Sequence, residues 1–144
     1  MSSIIKIIPV LSAISLAMNA NFVHAEIALI AHPSNVEQAL TTEQVKQIFL
    51  GKTGNFPGGN KVVPVDQKDG SALKTEFYMK IIQKDLSEIK AYWAKLLFSG
   101  KGTPPNALSS DEEVKAWVAK NPDGLGYINT KLVDGSVKLL LTVP

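Results

Sequence analysis

The sequence predicts a small α/β protein in which helices flank a mostly parallel sheet. Three observations carry this: short apolar runs of strand length, segments with helical apolar spacing, and the interleaving of the two along the chain. Ile27-Ala28-Leu29-Ile30-Ala31 is a continuous apolar run, as a buried strand requires, and it ends in the loop His32-Pro33-Ser34-Asn35. Thr41, with Gln44 three residues on, forms a capping box that opens a helix carrying Val45, Ile48 and Phe49 on one face, and Gly51 supplies its stop. A loop over 52–61, dense in Gly, Asn and Pro, delivers the chain into an apolar strand over 62–65. After a turn at Asp69-Gly70, a helix is expected from about Ser71 to Ile82, with Leu73, Phe77 and Ile81 inward and Tyr78 and Ile82 as further candidates.

Asp85 with Glu88 reads as a second capping box, before a helix whose Leu86, Ile89, Trp93, Leu96 and Leu97 recur at helical spacing. A Gly- and Pro-rich loop over 99–105 ends it. Ser110 with Glu113 caps a helix carrying Val114, Trp117 and Val118, which Asn121-Pro122-Asp123-Gly124 terminates. Short strands are expected over 126–129 and 137–143. No internal repeat and no low-complexity segment interrupts this pattern.

Residues 1–25 read as a secretory signal: a short basic start with Lys6, an apolar core over 7–18, and the small residues Val23 and Ala25 at −3 and −1 of a cleavage site. The apolar stretch is broken by Asn19 and Asn21 and is short for a span of about 20 residues. Cleavage after Ala25 is expected, leaving one domain over 26–144 that is periplasmic or secreted. Removing Lys6 from 15 lysines leaves 14 against 13 acids, a formal charge of +1, with no basic stripe of interleaved aromatics, so nucleic acid is not an expected partner.

The chain has no cysteine, which excludes thiolate chemistry and disulfide staples. His24 leaves with the signal, so His32 is the single histidine of the remaining domain; multi-histidine zinc sites are excluded and a Ser-His-Asp triad would have to use His32. No metal, cofactor or catalytic residue is expected.

The candidate site is the strand-to-helix turn Asp66-Gln67-Lys68-Asp69-Gly70-Ser71-Ala72-Leu73, directly after the apolar strand. A turn of this kind aims successive backbone N–H groups, and the positive end of a helix dipole, at one point where an oxyanion can sit. The bland alternative is that Asp69 or Ser71 merely caps the helix. The chain has no arginine, the usual bidentate clamp on a tightly held oxyanion.

Residues 42–52 (Thr-Glu-Gln-Val-Lys-Gln-Ile-Phe-Leu-Gly-Lys), Val63-Pro64-Val65, Asp69-Gly70-Ser71, Gly100-Lys101-Gly102 and Gly124-Leu125-Gly126-Tyr127 occur in an order and spacing that resembles the second lobe of the phosphate-binding proteins of phosphate ABC transporters, of the type 2 periplasmic binding protein class. The resemblance covers essentially the whole of 26–144 and implies a single lobe of that fold. In that family the turn reads Arg-x-Asp-Gly-Ser-Gly-Thr and supplies an arginine, hydroxyls and backbone N–H groups to phosphate. Here Gln67 stands at the arginine position, Asp69, Gly70 and Ser71 match, and Ala72-Leu73 replaces the final Gly-Thr.

What the resemblance implies is therefore an anion site in which Ser71 supplies a hydroxyl, Gly70, Ala72 and Leu73 supply backbone donors, Asp69 fixes the turn, and Gln67 and Lys68 lie near the ligand. Full-length members close a second lobe over phosphate, so binding is expected to be weak or to need a partner: a second copy paired across the exposed closing face, or a membrane protein. A ligand-free interaction module that docks to a membrane sensor, transporter or outer-membrane protein is the alternative. Lys52, Lys61, Lys68, Lys74 and Lys101 would form one basic rim only if their loops share a sheet edge. Trp93 and Trp117 read as core, and Asp111-Glu112-Glu113 as the acid-rich first turn of a helix, with a metal cluster the remote alternative.

Overall fold

A computed structural model describes residues 25–144 of the chain; the expected signal segment lies outside the described residues but for Ala25. Five strands form one sheet: β1 (Ile27–Ala31), β2 (Val63–Gln67), β3 (Asn106–Leu108), β4 (Gly124–Asn129) and β5 (Lys138–Val143), in the spatial order β3-β2-β4-β1-β5. β2 runs parallel to both β3 and β4, while β1 pairs antiparallel with β4 and β5. Four strands therefore point one way and β1 alone is reversed, which is the mostly parallel α/β lobe that the sequence predicts.

The five residues of β1 are all fully buried because helices cover both faces of the sheet. On one face lie α1 (Thr42–Phe49), α2 (Ala72–Phe77) with a π-helical turn (Tyr78–Ile82), and α3 (Leu86–Phe98). Ile27, Leu29 and Ala31 point into that layer, where Phe77 stacks on Tyr127 with centroids 3.9 Å apart and Phe49 meets the Phe77 ring edge-on. On the other face lies α4 (Asp111–Lys120), whose Val114 and Val118 pack on Ala28, Ile30, Val65 and Ile128. The period of two in β1 thus serves two cores at once.

α4 sits close to the sheet because β4 carries glycine at 124 and 126, the two positions that meet it. A Cβ on Gly126 would lie 2.5 Å from Val114 Cγ1 and 3.2 Å from Val65 Cγ2.

The capping box of α1 is present in full: Thr41 Oγ1 accepts from the Gln44 N–H and Gln44 Oε1 accepts from the Thr41 N–H. At α3 only half of the expected box forms, since Asp85 accepts from the Glu88 N–H while its other contact is the Ser87 hydroxyl. At α4, Ser110 accepts from the Glu113 N–H, and the Glu113 carboxylate reaches one residue further back, to the Ser109 N–H.

Three expectations need correction. The segment Asn106–Leu108 is a third parallel strand where the sequence pattern shows no strand; it is three residues long, lies on the sheet edge and is exposed at Asn106 and Ala107, so it carries no apolar run. The helix expected over 71–82 is α-helical only to Phe77 and continues as the π turn, ending at Gln83 in the left-handed region (φ 61°). Leu97, expected inward, is 51% exposed, and Phe98 beside it is 97% exposed.

Candidate functional site

The carboxyl ends of the parallel strands bring three loops to one sheet edge: the turn after β2, Ser109-Ser110 after β3, and Asn129, which leads into a 3-10 turn (Thr130–Leu132), after β4. The connection after β2 runs over the α3 face and the connection after β3 over the α4 face, and a crevice at such a switch is where open α/β sheets take ligands. The turn bends at Gly70, whose φ of +93° requires glycine, and Ser71 then caps α2 by accepting from the Lys74 N–H at 3.2 Å.

Gln67 is 3% exposed and faces the interior. Its Nε2 donates to Asp111 Oδ1 at 2.6 Å and to the Tyr127 carbonyl at 3.0 Å, and its Oε1 accepts from the Ser71 hydroxyl at 2.7 Å. Asp111 also accepts from the Asn129 N–H through its second oxygen at 3.1 Å. One amide and one carboxylate therefore tie the ends of β2, α4 and β4 together, and the Ser71 hydroxyl proton is committed to Gln67. The N–H groups of Gly70, Ala72 and Leu73 make no hydrogen bond within the described residues and remain available at the turn. Leu73 contributes its side chain to the core, whereas Lys68, Asp69, Gly70 and Ala72 are exposed.

Behind the turn lies Asp66, 5% exposed, whose carboxylate accepts from Tyr78 Oη and Tyr127 Oη at 2.5 Å each and from the Gln67 N–H at 2.7 Å. Lys74 Nζ stands 3.8 Å from Asp66 and 3.1 Å from Asp69, and Lys90 Nζ stands 3.4 Å from Asp69. Burial first, and then the adjacent Asp66 charge, push both tyrosine hydroxyls far above their ordinary range, so they remain donors. The hydrogen bond from Lys74, ahead of its charge and of Lys90, holds Asp69 below the usual carboxylate range.

Of the seven candidate residues, the structure brings all to one edge but divides them. Gln67 and the Ser71 hydroxyl serve the interior; Lys68, Asp69, Gly70 and Ala72 are exposed, and Leu73 is buried with its N–H unpaired among the described residues. Sequence reading missed Asp111, Tyr78 and Tyr127 as parts of the site. Two signals were available: Asp66-Gln67 is a polar pair closing an apolar strand, which demands buried partners, and Asp111 follows directly on the N-cap Ser110.

The basic rim does not form as one unit. Lys61 precedes β2 and Lys68 follows it, at opposite ends of the strand. His32 follows β1, whose reversed direction puts it at the edge away from Ser71, where its Nδ1 pairs with the Ser34 hydroxyl. Among the described residues no group of His, Asp and Glu could hold a metal ion, and no helix is long and apolar enough to cross a membrane. The chemistry on offer is hydrogen bonding and charge.

The chain matches no protein-family model and none of the curated proteins. Among solved structures it is similar to a phosphate ABC transporter substrate-binding protein with bound phosphate from Clostridium perfringens, at 28% identity and a TM-score of 0.61, over 81% of this chain and 45% of that one. An ABC-type phosphate transport receptor from Vibrio cholerae (20% identity, TM-score 0.62, 81% and 46%) and PstS from Borrelia burgdorferi (17%, 0.61, 81% and 47%) share the fold. The chain spans less than half the length of each. Its five-stranded α/β sheet, with helices on both faces, is thus the fold of one lobe of phosphate ABC transporter substrate-binding proteins.

Proposed function

We propose that this chain is an exported binding module of the phosphate-binding-protein kind, which takes a small oxyanion such as phosphate weakly at the turn after β2 or completes its site with a partner. The observation that carries the reading is the set of unpaired N–H groups of Gly70, Ala72 and Leu73, gathered at the carboxyl ends of parallel strands. Lys68 stands beside them without an ion pair among the described residues. The weakness follows from what is spent: the arginine position holds Gln67, the Gln67 amide is bound to Asp111, and the Ser71 hydroxyl donates to Gln67. Losing one or two charge-assisted hydrogen bonds, at about 1.5–3 kcal/mol each, leaves an affinity of roughly millimolar to high-micromolar order. No bond-breaking step is part of this reading, since Ser71 has an amide oxygen and not a base as its acceptor.

Export rests on the signal expected over 1–25, and the partner is a second copy or a membrane protein. Phosphate titration of the 26–144 protein, followed by the amide resonances of Gly70, Ala72 and Leu73, tests the reading. Saturable shifts confined to the turn support it, and unchanged amides at high-millimolar phosphate refute it.

A second reading, a ligand-free docking module, is favoured by the internal commitment of Gln67 and Ser71 together with the exposure of Leu97 and Phe98. It predicts no heat and no thermal shift with phosphate.

A further inference from the structure

We propose that the cavity between α2, α3 and β3 binds an organic anion with an apolar body, and that the Asp69 carboxylate is its built-in occupant, bridging Lys74 and Lys90 until such an anion displaces it. This goes beyond the turn site and holds whether or not inorganic phosphate binds there.

The cavity has a volume of about 420 Å³, within the range of roughly 300–1,000 Å³ typical of small-molecule sites. Ile89, Trp93, Leu97 and Pro104 supply an apolar wall, and the charge comes from Lys68, Lys74 and Lys90 set against the carboxylates of Asp66 and Asp69. Inorganic phosphate would engage the lysines and leave that wall facing water. A ligand with an aryl or alkyl group beside its anion covers both.

The charges are arranged for exchange. The Lys74 side chain is 12% exposed, so its ammonium is largely withdrawn from water and needs counter-charge. Its inner partner Asp66 is fixed, because two tyrosine hydroxyls and the Gln67 N–H hold that carboxylate in place. Its outer partner Asp69 is 60% exposed, sits on the turn beside Gly70, and is the carboxylate that Lys90 meets. When Asp69 turns outward it returns to water at little desolvation cost, and Lys74 keeps Asp66 as its counter-charge while Lys90 loses the carboxylate it meets. The depressed proton affinity of Asp69 agrees with its role as counter-ion to both lysines.

The test uses phenyl phosphate, inorganic phosphate and phenol on the 26–144 protein. Trp93 lines this cavity and Trp117 does not, and the chain has two tryptophans, so the emission of a Trp117→Phe protein reports on Trp93. Phenyl phosphate is expected to shift that emission and to bind about tenfold or more tighter than either of the other two, because it alone makes both the charge and the apolar contacts. Asp69→Asn is expected to tighten phenyl phosphate by about fivefold or more and Lys90→Met to weaken it, with circular dichroism confirming the fold of each. Equal affinity for phenyl phosphate and inorganic phosphate, or an Asp69→Asn protein that binds no tighter than wild type, overturns the proposal. Amide shifts at Gly70, Ala72 and Leu73 with inorganic phosphate report the turn site separately, so the failure of one site is distinguishable from the failure of the other.

Discussion

A carboxylate buried as deeply as that of Asp66 needs its oxygens met by donors, and Tyr78, Tyr127 and the Gln67 N–H meet them. Asp66→Ala leaves two buried hydroxyls without acceptors and is expected to cost about 2–4 kcal/mol, read from the urea midpoint. The same cluster sets an alkaline limit. Both tyrosines have folded-state pKa values raised above the ordinary 10.0, so the stabilisation they reflect is complete below pH 10 and is lost progressively as the pH rises beyond it. Tyrosinate absorbance from these two residues should therefore appear together with the loss of circular dichroism, and their ionisation near pH 10 in a folded protein would refute this.

Gln67 gives a further residue-scale expectation. An arginine there would meet the Asp111 carboxylate, now 2.6 Å from Gln67 Nε2, before any ligand. Gln67→Arg alone should thus strengthen phosphate binding little, and Gln67→Arg with Asp111→Asn by about tenfold, a non-additive pair measurable by calorimetry.

The elements were legible in sequence where one physical signal dominated. β1 is apolar throughout because it is covered on both faces, and the caps at Thr41, Ser71, Asp85 and Ser110 mark helix starts. β3 was not legible, because an edge strand of three residues, Asn106 and Ala107 exposed and Leu108 half-buried, is specified by its pairing with β2 and not by its own pattern. The turn at Asp69-Gly70-Ser71 was legible as a motif, whereas the commitment of Gln67 to Asp111, 44 residues away, depends on α4 lying against β2 and cannot be read locally. That placement is open to test. Gly126→Ala would force a Cβ against Val114 and Val65 and push α4 off the sheet, with an expected loss of about 1–3 kcal/mol in the urea midpoint and weakened protection of the α4 amides.

At the scale of the whole molecule, the turn sits in a chain that spans 45% of the length of the phosphate ABC transporter substrate-binding protein it is similar to. Among the described residues Lys68, Asp69, Gly70 and Ala72 at the carboxyl end of β2 are exposed to water, which weakens charge contacts made there and makes them sensitive to salt. Two copies paired across that exposed edge would form a cleft with a two-fold axis. Light scattering over a concentration series should show mass rising towards the dimer, more steeply with phosphate, and a monomer at every concentration would speak against that partner. Intact mass of the exported protein should correspond to a start at Glu26, and retention of 1–25 would contradict cleavage after Ala25.

The most direct measurement is isothermal calorimetry of the 26–144 protein with inorganic phosphate at low salt, repeated as salt is raised. Binding of roughly millimolar to high-micromolar affinity that weakens with salt is expected from a turn with free N–H groups, no arginine and an occupied Ser71 hydroxyl. Sub-micromolar binding by the monomer would contradict the assignment of Gln67 and Ser71 to the interior, and the absence of any heat up to high-millimolar phosphate would contradict the anion site itself.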